Sequence, residues 1–310
     1  MSQTKQYLFG PVPSRRLGLS LGIDCVPLKV CTLDCVYCQL GRSSDKTVFR
    51  KDYVPIDQVI EQLRHKIDTG LHADYITLSG SGEPTLNSRI ADLIRSIKSV
   101  TNINIAILTN GTLFNDPAVR ADCVEADLVL PSLDAGNQAA FQRINRPHNT
   151  IILENLIQGL CDFRTEFAGR IWLEVFLIEG YNTDNAQIDD IKTAIDRIRP
   201  DKVQLNTAVR PTTEPGIKPL DPEKLRQIAR RLGPNAEVIA DFAAARHNLP
   251  NKPQQADILE MLRRRPCSIE DISAALAIHP TQVAKEIQLL AKNHLITQKK
   301  TGSRTFFAAK

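Results

Sequence analysis

The chain of 310 residues is 42% apolar and 24% charged with a net charge of +4, values that are ordinary for a globular protein of one large and one small domain. It contains no run of about 18 apolar residues, so we expect no membrane-spanning helix. Met1–Tyr7 lacks an apolar signal core, and we expect a cytoplasmic protein whose cysteines bind metal rather than form disulfides.

Short β-branched runs alternate with segments of helical period along the first part of the chain. The predicted strands are Leu17–Asp24, Ala73–Ser79, Ile103–Leu108, Leu128–Leu133, Ile171–Ile178 and Lys202–Asn206. The predicted helices include Ile56–Asp68, Ser88–Val100, Leu153–Glu166 and Asp184–Ile198. Buried strands that alternate with helices form a parallel sheet, here an open barrel or a doubly wound sheet. In both architectures functional sites lie at the carboxyl ends of the strands.

Three closely spaced cysteines, Cys31, Cys35 and Cys38, follow the first predicted strand with C-x-x-x-C-x-x-C spacing. Three thiolates on one loop can hold three irons of a cubane 4Fe–4S cluster, and no fourth cysteine nearby completes the set, so one iron stays open for chemistry. A zinc site is the alternative, although structural zinc usually takes four ligands and the nearest histidine along the chain is His65. The other cysteines are scattered and are expected to be buried, with Cys25 alternatively a spare thiol near the cluster.

With Tyr37 directly before the third cysteine, the motif resembles the cluster motif of the radical S-adenosylmethionine (radical SAM) superfamily. The flanking segments Phe9–Gly18 and Gln39–Arg42 resemble one subgroup, the stand-alone Fe–S oxidoreductases near the wyosine-type tRNA synthetases. The resemblance covers about residues 6–245 and implies a partial (β/α)6 TIM-like barrel of the α/β class. It also implies a 4Fe–4S cluster on the three cysteines, S-adenosylmethionine (SAM) as second cofactor, and an electron donor such as flavodoxin or ferredoxin.

The second predicted strand leads into Ser81–Pro84. This turn resembles the Gly-Gly-Glu-Pro turn that holds the amino group of SAM in the family, with serine in place of the first glycine. Gly82 allows the backbone to approach a ligand closely. Glu83 offers a carboxylate to an ammonium group, or alternatively caps local backbone donors. The resemblance further implies that Tyr37 packs near the adenine of SAM.

More polar residues stand at the ends of the later strands. By resemblance, Asn110, Ser132 and Asp134 contact the ribose and carboxylate of SAM, although each is also a candidate helix cap or Asx turn. Gln204 and Asn206 alternate with apolar residues, and we expect both on a barrel interior where SAM and substrate meet. Other polar and charged residues could face the barrel interior or bind an anionic substrate, and each could instead be part of a structural network or a solvated surface charge. These candidates are Glu174, Arg210, Arg15, Arg16 and the segment Arg143–His148.

Arg246–Pro253 has the composition of a linker, so the predicted domains are a radical SAM partial barrel over 1–245 and a second domain over 254–310. The second domain has helix patterns at Gln255–Arg264, Ser268–Leu276 and Thr281–His294, followed by two strands around a turn, which is the order of a winged helix. It carries nine basic and five acidic side chains, and hence the whole net charge of +4. The charge is compatible with a nucleic-acid partner, while many winged helices bind proteins instead.

The resemblance implies an enzyme that reductively cleaves SAM at the cluster and uses the 5′-deoxyadenosyl radical to abstract hydrogen from a substrate that the sequence does not identify. One alternative is an Fe–S redox sensor that controls DNA binding by the winged helix. Another is wyosine-like tRNA modification, although those enzymes carry a second cluster on upstream cysteines and this chain has only Cys25 there. A purely structural metal protein is the remaining alternative.

Overall fold

The protein is described here by a computed structural model that covers residues 5–239, 255–276, 280–301 and 304–310. The strands of residues 5–239 are β1 (Leu8–Ser14), β2 (Gly18–Asp24), β3 (Val30–Cys31), β4 (Asp45–Lys46), β5 (Tyr75–Ser79), β6 (Asn104–Thr109), β7 (Leu128–Pro131), β8 (Arg170–Leu177), β9 (Lys202–Thr207) and β10 (Ala236–Val238). Eight of them form one sheet in the order β1-β2-β5-β6-β7-β8-β9-β10. In this sheet β1 is antiparallel to β2, and every other neighbouring pair is parallel.

Helices connect the parallel strands in sequence. They are α1 (Ile56–Asp68), α2 (Ile90–Lys98), α3 (Pro117–Cys123), α4 (Gln138–Asn145), α5 (Leu153–Glu166), α6 (Asn185–Ile198) and α7 (Pro222–Leu232), with a short 3-10 helix at Pro84–Leu86. From β2 onward the chain therefore contains six β/α units, followed by β10. The sheet has β1 and β10 at its edges, and the expected partial (β/α)6 barrel is confirmed.

The inner strands of the sheet, β2 and β5 to β9, are mostly buried on both faces, because helices cover the outer face and the sheet curls around its own inner face. All five residues of β5 are buried. Its outward residues Ile76 and Leu78 belong to the main apolar core, together with Leu93 and Ile94 of α2. The inner face is apolar toward the amino ends of the strands, where one cluster contains Leu17, Tyr75, Ala106, Leu128, Leu130 and Trp172. With a side-chain period of two, the next inward positions toward the carboxyl ends include Ser132, Asp134 and Glu174.

The predicted strands and helices of this region begin and end within two residues of the observed ones. The strands β1, β3, β4 and β10 and the helices α3, α4 and α7 were not predicted. Strand β1 has the sequence Leu-Phe-Gly-Pro-Val-Pro-Ser, whose glycine and two prolines argue against a strand. The two prolines are tolerated because β1 lies at an edge, where only one side of the strand is paired.

Residues 255–310 form a smaller unit of three helices and a hairpin in the predicted order. Its elements are α8 (Gln255–Arg264), α9 (Ile269–Leu276), α10 (Pro280–Lys292), β11 (Ile296–Thr301) and β12 (Arg304–Ala309), with β11 antiparallel to β12. The unit has an apolar core of its own, against which Val12 of β1 packs. The predicted linker Arg246–Pro253 lies outside the described residues, and the domain bounds and the winged-helix assignment stay predictions.

Among the described residues, no helix combines the length and apolar character that crossing a bilayer requires.

Candidate functional site

Cys31, Cys35 and Cys38 lie on the loop that leaves the carboxyl end of β2, which we call the cluster loop after the cluster predicted for these three cysteines. The loop is closed at its base, because Cys31 in β3 pairs with Lys46 in β4 and the amide of Thr47 donates to the Cys31 carbonyl at 3.0 Å. Inside the loop the amide of Cys38 donates to the Cys35 carbonyl at 3.1 Å. All three thiols are free and partly exposed. The loop thus presents three sulfur ligands at the sheet edge where the sequence predicts a site.

Each of the three sulfurs has one side-chain N–H donor, and the donors come from different parts of the chain. These contacts are Lys29 Nζ to Cys38 Sγ at 3.3 Å, Asn110 Nδ2 to Cys31 Sγ at 3.6 Å and Asn145 Nδ2 to Cys35 Sγ at 3.4 Å. Hydrogen bonds to a sulfur favour its thiolate form, and around a bound cluster they stabilise the more negative, reduced state. The sequence predicted Asn110 at this edge and included Asn145 only as part of the basic segment Arg143–His148, whereas Lys29 was missed.

The surroundings of Cys31 and Cys35 favour the protonated thiol over the thiolate. Burial raises the pKa of Cys31 to about 12, and the Glu83 carboxylate adds to the effect. Burial also raises the pKa of Cys35 well above its ordinary value, with a further contribution from Asp134. Iron binding must therefore release protons from this loop.

The donor set fits a cubane cluster, since the loop offers three thiols and each would bind a different iron. Within the described residues, no three His, Cys, Asp or Glu side chains surround a single point as ligands of one ion would. A cubane does not require ligands that converge on one ion, because each cysteine binds a different iron of the cluster. The other cysteines are mostly buried, as predicted: Cys25, Cys123 and Cys267 are buried, and Cys161 on α5 is partly exposed.

The turn after β5 is hydrogen-bonded to the start of the cluster loop. The amide of Glu83 donates to the Val30 carbonyl at 3.0 Å, and the amide of Lys29 donates to the Ser81 carbonyl at 2.6 Å. At Gly82 the two segments are so close that a Cβ atom would overlap the carbonyl oxygen of Val30. Glycine is therefore required there by the cluster loop itself, which holds the turn next to the cysteines.

The carboxylate of Glu83 is buried and surrounded by donors from its own chain. It caps the 3-10 helix by accepting from the Thr85 amide at 3.1 Å, and it accepts from the Thr109 hydroxyl at 2.6 Å and the Asn110 amide at 2.7 Å. Burial raises its pKa, and these hydrogen bonds oppose the rise. Of the two roles that the sequence left open for Glu83, the capping role is present in the structure.

Tyr37 and Asp134 meet across the site. The Tyr37 hydroxyl donates to Asp134 at 2.5 Å, and the Tyr37 ring stacks on Phe176 with 3.9 Å between ring centroids. Asp134 also accepts from Asn145 Nδ2 at 2.7 Å and from the Phe176 amide at 2.9 Å. Burial raises the pKa of Asp134 to about 6, although these hydrogen bonds favour the carboxylate. One face of the Tyr37 ring is thus covered by protein, and its expected contact with adenine stays a prediction.

A chain of polar contacts crosses the barrel interior near Asn206. Asn206 donates to Glu174 at 2.8 Å and accepts from Arg15 at 2.9 Å. Glu174 pairs with Arg16 at 2.7 Å, and the charge of Arg16 opposes the effect of burial, so that the pKa of Glu174 is lowered. Ser132 lies beside Glu174 through a bridge between β7 and β8. Glu174, Asn206, Arg15 and Arg16 therefore belong to one network.

The segment Arg143–His148, singled out for its charge, supports the cluster loop through its backbone. The backbone amide of Asp34 donates to the carbonyl of Asn145 at 3.0 Å, and the amide of His148 donates to the Thr32 carbonyl at 2.9 Å. Arg146 pairs with Glu214 at 2.7 Å, as a surface charge commonly does. Asn145 itself is buried in α4, four residues after buried Phe141. In the sequence, the sign of a functional role for Asn145 was a polar residue at a helical position that the apolar pattern predicts to be buried.

The predicted site residues therefore gather at one end of the barrel. Asn110, Asp134 and Tyr37 contact the cluster loop or form part of it, and Gly82 and Glu83 adjoin it. Ser132 and Asn206 lie deeper, beside Glu174. Their contacts with SAM stay predictions.

A family model described as "Radical SAM superfamily" matches residues 25–187. The "UPF0026 protein MJ1312" of Methanocaldococcus jannaschii is 32% identical over 296 residues, which are 93% of this chain and 87% of that protein. A Brachyspira hyodysenteriae protein named "GTPase Obg" is 36% identical over 289 residues, covering 92% of this chain and 42% of that protein. The chain thus spans less than half of the Brachyspira protein.

Among solved structures, a radical SAM methyltransferase from Sphaerobacter thermophilus aligns with a TM-score of 0.54 at 18% identity. The alignment covers 71% of this chain and 65% of that chain. At this identity the likeness concerns the fold alone, and the two chains share the arrangement of the barrel.

Proposed function

The chain belongs to the radical SAM superfamily, among the UPF0026 proteins, and we propose that it is an enzyme that reductively cleaves SAM at a 4Fe–4S cluster held by Cys31, Cys35 and Cys38. Members of the superfamily use such a cluster together with SAM. When bound, the two supply a 5′-deoxyadenosyl radical, which abstracts a hydrogen atom from the substrate.

The observation that carries the proposal is the cluster loop with its set of donors. Three partly exposed thiols lie at the carboxyl edge of the barrel, and each has its own N–H donor. The described loop contains no fourth cysteine ligand, which leaves one iron for the amino and carboxylate groups of SAM. The loop is anchored to the barrel by backbone hydrogen bonds with α4 and with the turn after β5.

The SAM contacts proposed here divide into two groups. The turn at Gly82 and Glu83 would hold the amino group through its backbone, since the Glu83 carboxylate is already occupied by donors from the chain. Asn110, Asp134 and Tyr37 would position SAM beside the cluster. Ser132 and Asn206 would line the deeper part of the pocket, near the Glu174 network.

Wyosine-like tRNA modification receives no support from the cysteines. The upstream Cys25 is completely buried in the main core, where its thiol faces the Ile23 carbonyl. A ligand for a second cluster would have to be exposed to metal. An electron donor such as flavodoxin or ferredoxin is proposed as a partner, since the reaction consumes an electron.

The unit of residues 255–310 is proposed as a recognition module. Lys299, Lys300 and Arg304 on its hairpin are exposed and would suit nucleic-acid phosphates, with a protein partner as the alternative. A redox sensor in which this unit reads DNA remains the second candidate function, because the unit contacts the barrel through Arg264 and Asp24, next to the cluster loop.

Anaerobic reconstitution with iron and sulfide, followed by dithionite and SAM, tests the proposal. We expect a cubane electron paramagnetic resonance signal that changes on adding SAM, and release of 5′-deoxyadenosine. Cys35→Ala should abolish both, while the matched control Cys161→Ala on α5 should retain both. A cluster that changes DNA affinity with redox state but never cleaves SAM would favour the sensor. A redox-silent metal would favour a structural site.

A further inference from the structure

A cleft of about 660 Å³ separates the cluster end of the barrel from the unit of residues 255–310. Its barrel wall includes Leu28, Gln39 and Leu40, which flank the cluster cysteines, and Ser81 of the turn after β5. Its other wall is formed by residues 262–266 and by residues 308–310 at the end of the hairpin. The volume lies within the range of roughly 300–1,000 Å³ that is usual for small-molecule sites.

The wall opposite the cluster loop carries three consecutive arginines with different surroundings. Arg263 pairs with Glu260 at 2.5 Å. Arg264 pairs with Asp24 and lies over the ring of Phe9. Arg265 is half-buried, and no carboxylate of the described residues is within ion-pair distance of it. The guanidinium of Arg265 is therefore the one of the three whose charge is not balanced by an ion pair in the described part of the chain.

The region around Arg265 is already rich in positive charge. Burial, and next to it the nearby charge of Arg265, lower the pKa of Arg210 to about 9 against the opposing effect of Asp271. Burial likewise lowers the pKa of Arg15 to about 10, with Arg265 among the contributing charges. An anion placed beside Arg265 would relieve this repulsion.

We propose that this cleft binds the substrate, and that the substrate is a small molecule carrying a phosphate group held by Arg265. The inference rests on the proposed radical SAM activity, for which it names the class of substrate. A guanidinium presents a planar fork of donors that matches phosphate oxygens. The exposed side chain of Leu28, 59% accessible, offers an apolar contact on the cluster side of the same cleft. A molecule that spans the cleft has its phosphate at the small unit and its other end toward the cluster loop.

Isothermal titration calorimetry on the reconstituted protein in the presence of SAM tests the site with pyrophosphate as the probe. We expect saturable binding to one site, weakened tenfold or more in Arg265→Gln and less in Arg265→Lys, which keeps the charge but loses the fork. Arg226→Gln is the control, because Arg226 is an exposed arginine on α7 outside the cleft, and this variant should bind pyrophosphate as the wild type does.

Unchanged pyrophosphate affinity in Arg265→Gln, or equal weakening in Arg226→Gln, would overturn the inference. Circular dichroism establishes whether the variants fold. If Arg265→Gln does not fold, the test is the affinity of Arg265→Lys for pyrophosphate, which should be several-fold weaker than that of the wild type. The same preparations are assayed for 5′-deoxyadenosine. If pyrophosphate binding depends on Arg265 but SAM is not cleaved, the proposed function is refuted and the phosphate site in the cleft stands. If SAM is cleaved but pyrophosphate does not bind through Arg265, only the phosphate site is refuted.

Discussion

The hydroxyl of Tyr37 donates to the carboxylate of Asp134 at 2.5 Å, although the two residues are 97 positions apart in the chain. Tyr37 lies between two of the cluster cysteines, and Asp134 follows β7. The bond therefore connects the cluster loop to the far side of the barrel. Its partner Asn145 extends the connection to Cys35.

Tyr37→Phe removes this bond and leaves the buried Asp134 carboxylate with one donor fewer. We expect the free energy of unfolding of the metal-free protein to fall by about 1–2 kcal/mol. Urea denaturation followed by fluorescence measures the change. Tyr181→Phe is the control, because no hydrogen bond of the Tyr181 hydroxyl is found among the described residues, and an equal loss in both variants would contradict the role of the bond.

Asp134 should make stability depend on pH in a defined direction. Burial raises its pKa in the folded protein to about 6 from the ordinary 3.8, so folding favours the protonated form. The resulting stabilisation is complete below about pH 4 and is lost as the pH rises through about 6, with a total change on the order of 2–3 kcal/mol. Unfolding of wild type and Asp134→Asn from pH 4 to 7 should show the wild type losing stability relative to the variant. A constant difference would contradict this.

Gly82→Ala should separate the turn after β5 from the cluster loop. The added Cβ overlaps the Val30 carbonyl, which is backbone and cannot rotate away. We expect a lower melting temperature and less iron bound per chain after reconstitution. Gly216→Ala is the control, because its Cβ meets no atom within 4 Å and only the backbone angle φ of 89° opposes it, at a cost of about 1–2 kcal/mol. Normal iron content in Gly82→Ala would be evidence against the close approach.

Asn145→Leu should lower the reduction potential of the cluster. The Asn145 amide donates to Cys35, and a donor to a ligand sulfur stabilises the reduced cluster. We expect a decrease on the order of 50 mV, near the 59 mV that corresponds to a tenfold change for one electron. An anaerobic redox titration monitored by electron paramagnetic resonance measures it. Asn104→Leu, at an exposed position on β6, should leave the potential unchanged, and Asn145→Gln should restore part of it.

Arg264→Gln should destabilise the contact between the barrel and the small unit. Arg264 and Asp24 are only 15% and 16% exposed, so the change leaves a largely buried carboxylate without its cation. We expect the free energy of unfolding to fall by about 3–5 kcal/mol and limited proteolysis of the protein to become faster. Arg226→Gln breaks an exposed pair with Glu223 on α7 and should change neither quantity measurably. Equal resistance to protease in the two variants would show that the contact is weak.

The sequence alone was sufficient for features that depend on neighbouring residues. The cluster motif occupies eight consecutive residues, and the alternation of strands and helices follows from periods of two and 3.6 residues, so both are readable without a structure. For the same reason the three helices and the hairpin of residues 255–310 were predicted in their correct order. Strand β1 was missed because its pairing at the sheet edge, rather than its composition, makes it a strand.

Only the tertiary structure decided which side chains meet. Asn145 reaches Cys35 across 110 positions of the chain, and Arg264 reaches Asp24 across 240. The donors to the Glu83 carboxylate come from its own turn and from the end of the neighbouring strand β6, and they show that this carboxylate caps the 3-10 helix. The order of the strands and the packing of one unit on the other bring such partners together. Contacts between residues so far apart in the sequence leave no periodic pattern along the chain. The sequence therefore determined the kind of chemistry, and the fold determined the surroundings in which the sulfurs and the charged groups act.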